Sequence, residues 1–202
     1  MKFPLLASFI VFVAWLTFEL HKHRNLDEKY EKSFWEKEAE ANSTRRKSLD
    51  DLAYIHIPYD SLPMHLMEDD AQVAEYLQIL LELKNSTIVN FTGISNTALK
   101  LKYGAPNITL LTTYDQNYTI LVRTLYRWGL KLYQSGYEDE ARTIFEYAIS
   151  CKTDVSGTYK LLAEIYKEHN QSEKIEELLQ VAESLNSATK NFIVRMLQES
   201  DP

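Results

Sequence analysis

The sequence predicts an all-α protein: a single transmembrane helix and a charged helical stalk, followed by stacked antiparallel helical hairpins and a capping helix. Three observations carry this prediction. The 202 residues contain only five Gly and five Pro against abundant Leu, Glu, Lys, Ala and Tyr, a composition that favours helices over a turn-rich sandwich or barrel. Residues 3–20 form a nearly unbroken apolar run. The C-terminal part repeats itself with a period of 34 residues, a length typical of stacked helical pairs.

The apolar run reads FPLLASFIVFVAWLTFEL, and a helix of that length rises about 27 Å, just enough to cross a bilayer. Trp15 and Phe18, then His21, Lys22, His23 and Arg24, supply an interfacial belt with a basic flank. A cleaved signal peptide is disfavoured, because large residues follow the apolar run where small ones are needed. The expectation is therefore a membrane anchor at residues 1–21, with the bilayer contacted through residues 3–20. A cell-membrane, single-pass protein follows. Basic residues after the run favour a body on the cytoplasmic side, whereas the very short head before it is typical of anchors that keep their N-terminus inside. Six Asn-x-Ser/Thr sequons, at Asn42, Asn85, Asn90, Asn107, Asn117 and Asn170, would favour a lumenal body in a eukaryote. Capping and turn roles explain several of them without a glycan.

Residues 22–49 are dense in both charges, and Leu26, Tyr30 and Phe34 recur every four residues, as in a helical stalk. Residues 50–68 carry Pro58 and Pro63, which bar a continuous helix and predict an extended arm whose apolar side chains need cover from the body. His56 and His65 within it lack the spacing and the third ligand that a metal site requires. Residues 69–121 form a helical region: Asp69 or Asp70 starts one helix, Gly104 and Pro106 end a second, shorter one, and degenerate hairpins are expected here.

In residues 122–202 the two copies align residue by residue. Leu125 falls on Tyr159, Trp128 on Leu162, Gly129 on Ala163, Leu132 on Tyr166, Gly136 on Asn170, Ala141 on Ile175, Phe145 on Leu179 and Ala148 on Ala182. Gly129 and Ala163 must be small where the second helix of the hairpin crosses, and Gly136 and Asn170 suit a left-handed turn. This pattern resembles the tetratricopeptide repeat over about 68 residues, from Val122 to Thr189. It departs at Ile175, where Ala is usual, and at Thr153 and Ser187, where Pro usually ends the unit. The segment after it reads as a capping helix carrying Phe192, Ile193, Met196 and Leu197. Segments around Phe34 to Pro58 and Thr92 to Gly129 also resemble a family of small membrane-anchored proteins from clostridial bacteria, a likeness that implies architecture and no particular activity.

The tetratricopeptide resemblance implies protein–protein interaction on the concave face lined by the first helix of each hairpin, here Arg123, Tyr126, Leu130 and Tyr133, then Lys160, Glu164 and Lys167. Leu130 and Glu164 stand where carboxylate-clamping repeats carry Asn, so capture of a peptide C-terminus is disfavoured. Two readings of this face remain open: an unknown protein partner occupies it, or Tyr126 and Tyr133 pack on a neighbouring helix or on the chain's own arm in a purely structural subunit.

Other functions have less to rest on. The net charge of −7, from 29 acidic and 22 basic residues, lacks the clustered basic face that nucleic acid needs. The five His residues are scattered, no base stands beside a nucleophile, and no glycine-rich phosphate loop occurs. No enzyme activity, cofactor, metal or small-molecule substrate is expected. The single Cys151 allows no internal disulfide and suits an apolar position.

Overall fold

In the computed structural model the described residues are 4–200, without the side chains of 4–7, 23–28 and 200. These residues are all-helical apart from turns and one isolated antiparallel bridge between Tyr54 and Val89. The eight α-helices are α1 (Pro4–Ser43), α2 (Ala71–Glu82), α3 (Asn96–Tyr103), α4 (Ile108–Gln134), α5 (Glu138–Ser150), α6 (Ser156–Glu168), α7 (Ser172–Glu183) and α8 (Lys190–Ser200). They divide into two compact units, one formed by residues 1–47 with 96–106, the other by 48–95 with 107–202.

In the first unit, the segments expected to be anchor and stalk form a single helix, α1. No Gly or Pro interrupts residues 5–43, and α1 runs through all of them, a length of about 60 Å at 1.5 Å per residue. Among the described residues no helix is long and apolar enough to cross a membrane; the expected span begins at Phe3, outside them. Phe9, Ile10, Val11, Phe12, Trp15 and Phe18 are exposed along the helix. Helix α3 packs on the C-terminal end of α1, where Glu38 accepts a hydrogen bond from Thr97 and pairs with Lys100 at 3.4 Å. The segment after α1 is tied to the end of α3 by Lys47 N to Tyr103 O (3.0 Å) and Ala105 N to Thr44 O (3.0 Å). Gly104, at φ +94°, lies so close to Arg45 that an added Cβ would sit 2.2 Å from its carbonyl oxygen; only glycine fits both demands.

The second unit is built on α4. Its sequence contains no proline and a single glycine from Ile108 to Gln134, so the first hairpin helix is extended by some four N-terminal turns beyond the repeat. Helix α2 packs on α4. Asp70 caps α2, its Oδ1 accepting from Gln72 N at 2.9 Å and Val73 N at 3.2 Å, while its other oxygen pairs with Lys131 of α4 at 2.9 Å. Val73, Leu77 and Leu80 point into the core on one face, as their spacing requires.

From α4 to α8 the 34-residue period is visible in the backbone. Gly136 and Asn170 both take left-handed conformations, at φ +85° and +56°. Each is followed by the same hydrogen bond closing the preceding helix, Tyr137 N to Leu132 O (3.0 Å) and Gln171 N to Tyr166 O (2.8 Å). At the ends of the hairpins Thr153 and Ser187 do related work: the Thr153 hydroxyl accepts from Val155 N (3.2 Å), the Ser187 hydroxyl from Thr189 N (3.3 Å). A hydroxyl-capped turn thus replaces the expected proline. Helices α6 and α8 begin 34 residues apart, at Ser156 and Lys190, so the last helix occupies the place of a third first helix and packs on both α6 and α7.

The small residues sit where close packing needs them. Gly129 is covered by Phe145, whose ring atoms an added Cβ would approach to 2.4 Å. Ala141, Ala148, Ala163 and Ala182 are buried, as are Leu125, Trp128, Leu132 and their partners Tyr159, Leu162 and Tyr166. Ile175 is accommodated and buried. Phe145 is fully buried, whereas Leu179 at the matching position is half-buried. Cys151 lies in the same core, and burial pushes its thiol pKa up, which keeps it a poor nucleophile.

Candidate functional site

Helical spacing decides which side chains line the first-helix face. Helices α4 and α6 bury the positions of Leu125, Trp128 and Leu132 and of Tyr159, Leu162 and Tyr166. The intervening positions are left on the opposite side. On α4 these are Arg123, which is exposed, and Tyr126, Leu130 and Tyr133, which are half-buried; on α6, Lys160, Glu164 and Lys167 are all exposed. All the residues expected on the concave face are therefore at the surface of these two helices.

Their environments differ. Tyr126 is a packing residue as much as a surface one: it lies over Gly157 at the start of α6, where an added Cβ would come within 2.5–2.6 Å of the ring. Tyr133 is surrounded by Glu168, Glu164 and Glu138, and partial desolvation with these carboxylates raises its phenol pKa. Lys160 and Glu164 form a loose pair at 3.8 Å, both largely exposed, an arrangement of little energetic weight. Below the turns, His169 Nε2 meets Glu138 Oε1 at 2.6 Å and ties the second turn to the first. The face is thus a shallow strip of aromatic and aliphatic surface along α4, bordered by basic and acidic side chains of α6.

The extended arm lies elsewhere. Leu52 and Leu62 are buried, and Ile55, Ile57, Tyr59, Met64 and Leu66 pack against the core. Its hydrogen bonds run to α2, to the segment that follows it and to the second hairpin helix: Tyr59 Oη donates to Leu80 O (2.6 Å), Ile55 N to Ile88 O (3.0 Å), and Tyr147 Oη of α5 donates to His56 O (3.2 Å). Tyr59 and Tyr147 both have raised pKa values, chiefly through burial. The arm therefore contributes core to the α2–α5 side. His56 and His65 do not converge: His65 pairs with Glu68 at 2.6 Å. Among the described residues no three His, Cys, Asp or Glu groups are gathered as metal ligands.

Two concavities were not foreseen from the sequence. One of about 400 Å³ opens between α5, α6 and α7, floored by Ile149, Leu162, Leu178 and Val181. Its rim groups are already engaged with one another, Tyr166 Oη donating to Glu146 (3.0 Å) and Lys174 pairing with Glu177 (2.7 Å). The other, about 370 Å³, lies where α5 and α7 end, beside Asn90, Cys151 and Asn186. There Asn90 Nδ2 donates to the carbonyls of Cys151 and Lys152, both at 3.2 Å, and Asn186 Nδ2 to Gly93 O at 3.1 Å. These amides hold loops together. No local sequence signal marks either concavity, since each is made by loops and helices far apart in the chain.

No protein-family model matches the chain, nor does any curated protein or solved structure.

Proposed function

We propose that the protein is a membrane-tethered helical-repeat scaffold, related in design to the tetratricopeptide repeat, that holds a protein partner against the first-helix face of α4 and α6. The observation that carries this reading is the placement of the arm. Its apolar residues and hydrogen bonds are spent on α2 and α5, while Arg123, Lys160, Glu164 and Lys167 stay exposed. That placement disfavours the alternative of a purely structural subunit whose groove is filled by its own arm. The face offers aromatic anchors, Tyr126 and Tyr133, beside long charged side chains, a mixture suited to a protein surface or peptide.

The tether is the N-terminal part of α1. Its exposed run from Phe9 to Leu20 is too apolar to be left in water, and insertion in a bilayer through residues 3–20 removes it. The basic residues after the run favour the cytoplasmic side, and three of the sequons carry no weight against it. Asn90 and Asn117 use the side-chain nitrogen that would bear a glycan to donate to backbone carbonyls, and Asn107 is buried.

Affinity capture of the full-length protein from its native membranes tests the face. A partner bound by wild type and lost on Lys160→Glu with Lys167→Glu, but retained on the α7 substitution Glu176→Lys, supports the reading. A partner set indifferent to the α6 charges refutes it. Carbonate washing of the same membranes tests the tether: the chain must remain in the pellet.

A further inference from the structure

Among the described side chains, helix α1 is covered on one side at its C-terminal end only. There α3 lies along Glu38, Ala41 and Asn42: Ala41 is 0% exposed, and Lys100 reaches both Glu38 (3.4 Å) and Asn42 (2.8 Å). At about 100° per residue, Tyr30, Phe34 and Trp35 fall in the same arc of about 140° as these three residues. Yet they are bare, at 72%, 54% and 61% exposure. Helix α3 has eight residues, about 12 Å of cover, and the face it packs on continues N-terminally as aromatic surface. Phe34 and Trp35 meet edge to face at 5.3 Å, and the indole N–H donates to Glu31 at 3.4 Å. On the order of 300 Å² of aromatic surface is thereby left in the open.

We propose that a second copy of this chain covers this face, α1 packing against α1 in parallel. The inference rests on the membrane reading given above, and three features select this occupant. The bare face is continuous with the packed α1–α3 interface, so it has the shape of a helix-packing surface. Tyr30 and Trp35 stand ten and fifteen residues beyond Leu20, about 15 and 22 Å along the helix, past a headgroup layer about 5–8 Å deep on each side. Lipid does not reach them. Two copies inserted by the same segment stand at equal height with the same polarity, which sets each ring against its counterpart as a two-fold contact demands. Phe12 and Glu19 lie within about 20° of Tyr30 around the helix. The one acidic residue of the apolar run, Glu19, therefore lies on the side assigned to the partner, where polar groups of membrane helices gather.

Disulfide cross-linking of the full-length protein in its membranes tests this. Tyr30→Cys lies on the face and Lys32→Cys about 200° away on the opposite side, while the native Cys151 is buried. After mild oxidation the Tyr30→Cys chain is expected mostly at twice its mass and Lys32→Cys at least tenfold less. Adding Phe34→Ser and Trp35→Ser to Tyr30→Cys should lower the dimer about tenfold with helicity unchanged. Equal cross-linking at both positions, or none at Tyr30→Cys, overturns the dimer. Quenching of a fluorophore on Tyr30→Cys by brominated lipid also overturns it and assigns the face to the bilayer. Carbonate washing of the same samples reads the anchor separately: a washed chain that still cross-links through Tyr30→Cys keeps the dimer and loses the tether, and a retained chain that does not cross-link does the reverse.

Discussion

Replacing Gly129 by alanine should destabilise the protein although it improves helix propensity. In the middle of α4 the change gains about 1 kcal/mol of intrinsic propensity. Against this, the new Cβ would lie 2.4 Å from Cε1 of Phe145 and 2.9 Å from Cδ1 and Cζ, where carbon atoms rest about 3.5–4.0 Å apart. Phe145 is 0% exposed, so its ring cannot swing outward and the strain passes to α4 and α5. Overpacking of this kind costs about 1–3 kcal/mol, leaving a net loss of about 1 kcal/mol. Gly157→Ala is the matched control. Its Cβ meets the Tyr126 ring at 2.5 Å, but that ring is half-exposed and can rotate away, so stability should be unchanged within about 0.5 kcal/mol. Thermal unfolding of the full-length protein in detergent, followed by far-UV circular dichroism, should place Gly129→Ala about 2–4 °C below wild type. A Gly129→Ala protein as stable as wild type, or a larger loss at Gly157, would refute the packing argument.

Further outcomes follow from the same geometry. Gly136→Ala has open space for its methyl group but keeps φ at +85°, so the left-handed penalty alone should cost about 1–2 kcal/mol in urea unfolding, and Asn170→Gly at the matching turn should be neutral or stabilising. Thr153→Val leaves the Val155 N–H without its acceptor in a part-buried turn and should lose about 1 kcal/mol by the same measurement. Lys131 and the α2 amides hold the Asp70 carboxyl below its ordinary value of 3.8. A depressed carboxyl stabilises the fold fully above that value and loses the contribution as pH falls through the folded pKa; acid unfolding should therefore be less steep in Asp70→Asn. The Cys151 thiol should resist a thiol reagent at neutral pH in the folded protein and react at once in denaturant, as its burial and raised pKa require.

The parts of this fold legible in the sequence are those set by neighbours in the chain. Gly129, Ala141, Ala148 and Ala163 could be placed because a hairpin brings its two helices together within some thirty residues, and each small residue marks a crossing. Gly136 and Asn170 could be placed because a left-handed turn admits few residue types. The α1–α3 clasp could not be read: Glu38 and Lys100 are 62 residues apart, and an eight-residue helix has too little periodicity to declare a partner. The side on which the arm lies was equally hidden, because Tyr59 and Tyr147 say that cover is needed without saying where. Of the candidate face, the positions follow from helical spacing alone. The seating of Tyr126 on Gly157 does not, since it depends on how one hairpin leans against the next.

The most direct test of the scaffold is site-specific photocross-linking in the native cell. A photoreactive residue at Lys160, on the exposed first-helix face, should trap one discrete partner that the same residue at Glu176, exposed on α7, does not. Equal trapping from both positions, or none from Lys160, would contradict a dedicated binding face.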